Sequence, residues 1–88
     1  MSPTGGAARQ LPRESLWRER TGRVVDVGDG ILVVRFPSGT ARVTWGGALL
    51  ARVAGDRDRA PRPGDRVLVR SWADGNLTAE RVVARPLP

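Results

Sequence analysis

Pro63-Gly64-Asp65 stands directly before the alternating run Arg66-Val67-Leu68-Val69-Arg70, and no other stretch constrains the fold as tightly. Proline presets the backbone for a turn, glycine accepts positive φ, and an aspartate side chain can bond back onto nearby backbone. The alternation that follows has period two, the repeat of a half-buried strand. Similar punctuation recurs upstream at Gly28-Asp29-Gly30 and Pro37-Ser38-Gly39, and downstream at Ala73-Asp74-Gly75-Asn76. Turn signals about every eight to twelve residues favour an all-β sandwich or barrel.

The spacing predicts five strands, over about 22–27, 31–36, 40–45, 65–72 and 77–84. Gly46-Gly47 breaks the pattern after the third. Residues 48–53 fit either a strand continuation or a helical turn, and 54–63 read as an exposed loop. Five short strands with a longer insertion between the third and fourth match a partly open Greek-key barrel. The expected fold is therefore all-β, a small five-stranded OB-like (or SH3-like) barrel over residues 21–85, with a flexible N-terminal leader over 1–20 and a short tail at 86–88.

The leader begins with small and polar residues, which argues for disorder until something binds it. Within it, 12–20 has the makings of one or two helical turns, with Pro12 at the first helical position and Leu16 and Trp17 as apolar contacts. A helix that short is marginal alone. Trp17 would have to dock on the barrel or anchor a partner.

Eighty-eight residues make one domain with a modest core. All fifteen basic residues are arginine, against nine acids, for a net charge of +6. Absence of lysine fits the codon bias of a GC-rich genome, so the sign of the charge carries more information than the choice of arginine. No cysteine, histidine, lysine or tyrosine is present. These absences remove thiolate and imidazole metal sites and the commonest catalytic bases and nucleophiles. The aspartate pairs Asp26/Asp29 and Asp56/Asp58 lack the spacing of a calcium loop. We expect no enzyme activity, no cofactor and no metal. The longest aliphatic run, Ile31-Leu32-Val33-Val34, falls far short of a bilayer span. A soluble cytoplasmic chain is the expectation.

Alternation assigns faces. Leu32, Val34 and Phe36 share one side of the second strand, leaving Arg35 outside with Ile31 and Val33. Ala41, Val43 and Trp45 oppose Arg42 and Thr44 on the third. Val67 and Val69 suit the core of the fourth, leaving Arg66, Leu68, Arg70 and Trp72 outside. Arginines interleaved with an exposed aromatic suit single-stranded nucleic acid, because guanidinium groups neutralise phosphates while aromatic planes stack on bases. Arg35, Arg42, Arg66, Arg70 and Trp72 are the candidates on the barrel. The competing reading has Trp72 closing the barrel end and the arginines forming a solvated face. Arg57, Arg59 and Arg62 in the loop are offset by Asp56, Asp58 and Asp65, and read either as a solvated loop or as further RNA contacts.

Residues 22–81 resemble the S1-like oligonucleotide-binding barrels, including bacterial translation initiation factor one. The resemblance rests on Gly22-Arg23-Val24-Val25, the Phe36-Pro37-Ser38-Gly39 hairpin, the basic loop 57–62, Pro63 through Val69, and Asp74 through Leu77. Residues 50–69 are also similar to the N-terminal barrel of the small-subunit ribosome-assembly GTPases. Both resemblances imply binding to structured RNA, with Arg57, Arg59, Arg62, Arg66 and Arg70 as phosphate contacts and a ribosome or another large assembly as the setting. The sequence departs from the pattern in its loop aspartates, in aliphatic residues where S1-type barrels carry aromatics, and in the N-terminal extension. Two functions follow: an RNA- or single-stranded-DNA-binding barrel, or a module that docks on a larger complex through the barrel edge and Trp17. Oligomeric state is left open by both.

Overall fold

The computed structural model describes residues 17–86. The chain runs β1 (Trp17–Gly28), β2 (Ile31–Phe36), β3 (Gly39–Trp45), α1 (Gly47–Gly55), a 3-10 turn (Arg57–Arg59), β4 (Arg66–Trp72) and β5 (Leu77–Ala84). The strands close into a barrel in the order β1-β2-β3-β5-β4, with β4 returning to β1. All neighbours are antiparallel except β3 and β5, which meet in a short parallel contact, Thr44 opposite Thr78 and Trp45 opposite Ala79.

β1 is longer than its sequence pattern suggests. Its first half pairs with β4 residue for residue, from Trp17 opposite Trp72 to Arg23 opposite Arg66. Its second half pairs with β2, beginning at Arg23 opposite Arg35 and shifting register between Val24 and Asp26. The helical turns expected up to residue 20 are therefore not formed over 17–20. A weak local helical tendency loses there to a cross-barrel ladder and to the contact of the Trp17 and Trp72 rings, 5.1 Å apart. The barrel accordingly starts at Trp17 rather than at residue 21. The proposed leader up to residue 16 lies outside the described residues.

One residue lets a single strand serve two partners. A Cβ at Gly22 would overlap Val34 Cγ1 and approach Phe36 Cε1 to 2.8 Å and the Arg35 carbonyl to 2.9 Å. Glycine inside a strand marks such close approaches. At the next corner, Gly64 takes φ of +95° in the Pro63-Gly64-Asp65 turn. Its N–H donates to the Val24 carbonyl (2.7 Å), and the Val24 N–H donates to the Asp65 carbonyl (2.8 Å).

The core contains the inward set read from the alternation of β2, β3 and β4, joined by Val24 of β1 and Ala79 of β5. Val24, Leu32, Val34, Phe36, Val43, Val67, Val69 and Ala79 are buried, with Trp45, Ala41, Leu77 and Val82 packed at their margin. The ambiguous segment after Gly46-Gly47 is helix, and it contributes Leu49, which is 1% exposed. Most of β3 and β5 do not pair with each other, and α1 sends its buried leucine into the core beside this gap.

A buried carboxylate fastens the chain after β5 to the turn before β4. Asp65 is 1% exposed and accepts from Arg85 Nε (3.0 Å) and Nη2 (2.9 Å) and from the Arg62 N–H (2.9 Å). Arg85 also donates to the carbonyls of Asp58 and Ala60, both at 3.0 Å. Burial pushes the Asp65 carboxyl up, but the Arg85 hydrogen bonds, the Arg62 N–H and the two nearby guanidinium charges outweigh it and hold the group below the usual carboxylate range. Arg85 is raised in turn, chiefly by its hydrogen bond to Asp65. Among the described residues no helix is long and apolar enough to cross a membrane.

Candidate nucleic-acid interface

Because β1 lies between β4 and β2, residues far apart in sequence meet on the barrel's outer surface. Arg23 has Arg66 as its partner across β4 and Arg35 as its partner across β2. All three are exposed, and they form a row running across three strands. With neighbouring strands about 4.8 Å apart, the row spans about 10 Å. On its far side Arg35 faces Thr40 of β3, which puts Arg42, two residues on and also exposed, on the diagonal.

Directly opposed like charges destabilise a sheet. Nothing in the barrel offsets them: among the described residues, none of Arg23, Arg35 and Arg66 forms an ion pair. The nearest acid along β1, Asp26, turns its carboxylate onto its neighbour's backbone, accepting from the Val27 N–H at 2.9 Å. An open groove of about 490 Å³ runs along the row, bordered by Arg23, Arg35, Arg66, Thr21, Phe36 and Pro37, with no acidic side chain in its lining. A second groove of about 480 Å³ adjoins it through the shared Thr21, Phe36 and Pro37. There the guanidinium of Arg20 sits 4.2 Å from the centre of the Phe36 ring.

The other candidates from β4 are placed differently. Arg70 is half-buried and lies 4.3 Å from the centre of the Trp17 ring. Its charge is answered by two acids, Glu19 (3.6 Å) and Glu80 (3.9 Å). At those separations the contacts are Coulombic rather than hydrogen bonds, and Arg70 Nε is buried without a hydrogen-bond partner. Trp72 packs on Trp17 at an interplanar angle of 54° and donates through Nε1 to Thr78 Oγ1 (2.9 Å). Thr78 Oγ1 in turn donates to Glu80 Oε2 (2.7 Å). Trp17, Glu19, Arg70, Trp72, Thr78 and Glu80 thus form one network over β1, β4 and β5, in which two carboxylates answer one guanidinium.

Arg57 and Arg59 lie in the 3-10 turn and Arg62 just beyond it, in the connection that leads into β4. Arg59 contacts Asp56 and Arg62 contacts Asp58, each at 3.7 Å with both side chains well exposed. Asp56 caps the turn by accepting from the Asp58 N–H. Arg59 also borders a cleft of about 350 Å³ between α1 and β5, together with Arg52 and Arg81 and with Asp58 on its rim. Arg85 lines this cleft as well, so four arginines face one aspartate there, with Arg59 held by Asp56 and Arg85 by Asp65.

Against protein-family models, curated proteins and solved structures alike, the chain has no match. Its chemistry must be argued from its own residues. Of the eight nucleic-acid candidates, the fold joins Arg35, Arg66 and Arg42 into one surface, gives Arg70 and Trp72 to the network around Trp17, and leaves Arg57, Arg59 and Arg62 on the loop. Sequence reasoning passed over the two residues that complete the surface, Arg23 and Arg20. The phase of Arg23 was available, since Val24 beside it belongs to the core and adjacent strand residues face opposite ways. Its two arginine partners were not, because they depend on β1 pairing with both β2 and β4.

Proposed function

We propose that this barrel binds nucleic acid, RNA or single-stranded DNA, on the outer face of β4, β1 and β2, and that it does so without catalysis. The observation carrying this reading is the row Arg66, Arg23, Arg35: three adjacent guanidinium groups, none paired within the described chain, beside a groove without acids. Such a row costs the fold free energy unless a polyanion neutralises it. A phosphate backbone supplies negative charges in a line, and arginine binds phosphate with a planar fork of donors. The closed five-stranded order with a helix between β3 and β4 supports an OB-like reading, as does the S1-like resemblance of residues 22–81. That resemblance makes RNA in a large assembly such as a ribosome the favoured setting.

The test is affinity for short single-stranded oligonucleotides as a function of salt. Three to five phosphate contacts should give a log–log slope of about −2 to −3.5. Arg23→Ala should weaken binding and flatten that slope, whereas Trp17→Ala should change it little. An affinity insensitive to salt would reject the reading, and loss of partner binding on Trp17→Ala alone would favour docking on another protein instead.

A further inference from the structure

Phosphate contacts alone do not distinguish a single strand from a duplex, because both present a charged backbone. A single strand also offers unpaired base faces, and a protein that selects it supplies a plane on which one can stack. Trp72, the aromatic first suggested by the sequence, is held against Trp17 and bonded to Thr78. The groove adjoining the arginine row contains a different plane.

Arg20 occupies a position on β1 opposite Val69, whose side chain points into the core. By the register of the ladder Arg20 shares that inward side, yet its residue is exposed, so the guanidinium emerges at the barrel mouth. There it lies over Phe36, which is only 4% exposed and therefore fixed by the core around it. Among the described residues Arg20 has no ion-pair partner. One side of the guanidinium is backed by a buried ring, and the group borders an open groove lined by Thr21, Phe36, Pro37 and Ser38. That groove runs into the one beside Arg23, Arg35 and Arg66. A plane held in place by a rigid ring loses little freedom when a second plane is laid on it.

We propose that Arg20, backed by Phe36, is a base-stacking site for single-stranded nucleic acid whose backbone is held on the Arg66-Arg23-Arg35 row. This rests on the nucleic-acid reading above and adds to it a selection for unpaired bases. A strand bound in this way runs across β4, β1 and β2 rather than along any of them, and turns one base toward the Pro37-Ser38 end of the β2–β3 hairpin.

The test compares two fluorescent probes with the intact chain: a deoxythymidine oligomer of about eight nucleotides, within the range one such barrel covers, and an abasic oligomer of the same length. Wild type should bind the thymidine oligomer about tenfold or more tighter than the abasic one, the margin a single base–aromatic or base–arginine stack provides. Arg20→Lys keeps the charge and removes the plane. It should abolish the margin while leaving the abasic affinity within about twofold of wild type. Arg20→Ala should abolish the margin as well, and Arg23→Ala should weaken both probes equally. Equal binding of the two probes by wild type, or a margin that survives Arg20→Lys, overturns the stacking site while the backbone row stands. Failure of both probes to bind, or indifference of both to Arg23→Ala, overturns the stacking site together with the nucleic-acid reading beneath it.

Discussion

Replacing Arg23 by threonine should move stability and binding in opposite directions. Threonine is a good strand residue, so the perturbation is mainly the removal of the central charge from the row. The Cα atoms of opposed residues lie about 4.5 to 5.5 Å apart, and long side chains splay, so a guanidinium separation of about 7 Å is reasonable. In water each neighbour then repels Arg23 by about 0.6 kcal/mol, or about 1.2 kcal/mol for Arg35 and Arg66 together. Screening at 0.1 M salt, with a Debye length near 10 Å, reduces this to about 0.6 kcal/mol. For a domain of this size that corresponds to a rise in Tm of about 2 to 5 °C. The gain should shrink as salt is added. In parallel, loss of one phosphate contact should flatten the salt slope for single-stranded oligonucleotides by about 0.7. Thermal melts and anisotropy titrations across a salt series read both quantities from the same preparation. A fall in Tm would mean that the Arg23 stem contributes packing that outweighs the repulsion. An unchanged slope would mean that nucleic acid, if bound, binds elsewhere, and either result refutes the reasoning.

Three further outcomes are expected. Gly22→Ala should destabilise the fold by about 1 to 3 kcal/mol, because the added methyl meets Val34, Phe36 and the Arg35 carbonyl; a denaturation midpoint equal to wild type would show that β1 and β2 are not so closely apposed. Arg85→Ala should cost about 3 kcal/mol, the low end for unpairing a buried charge since the Arg62 N–H still reaches Asp65, and a cost below about 1 kcal/mol in urea titration would argue against the clasp. With the folded-state value of Asp65 below the unfolded value of about 3.9, the wild-type carboxylate stabilises the fold above that pH, and the stabilisation disappears as pH falls through the folded value. Asp65→Asn should accordingly be less stable near neutrality and less sensitive to acid, and parallel pH profiles for the two proteins would contradict the assignment.

The five-stranded pattern was legible because its signals are local. Gly30, Gly39, Gly64 and Gly75 all take positive φ in the turns, and Val67 and Val69, like Leu32 and Val34, alternate with residues that face solvent. The first half of β1 carried no such signal. Its inward positions hold Arg18, Arg20 and Gly22 opposite Ser71, Val69 and Val67, so the apolar alternation that marks a strand is missing there. The ladder to β4 stabilises it, and that partner arrives only after β2, β3 and α1 have been laid down. The helix after Gly47 was ambiguous for a related reason: it buries one residue, Leu49, and a single apolar contact does not establish a period.

The same topological fact explains why the candidate surface was only half visible. Arg35 and Arg66 stand on strands that do not touch each other, and Arg70 and Trp72 appear from sequence to extend Arg66 along its own strand. Once β1 is inserted between β2 and β4, the direction of the surface turns by a right angle, from along β4 to across the three strands. Along β4 the charge is answered by Glu19 and Glu80, which come from the two strands flanking Arg70. Across the strands it is reinforced by Arg23. On this face the barrel therefore separates Arg70, neutralised and packed with two tryptophans, from Arg66, Arg23 and Arg35, unneutralised beside an open groove. On the β4, β1 and β2 face, this second set retains the local excess positive charge that steers a polyanion toward a surface.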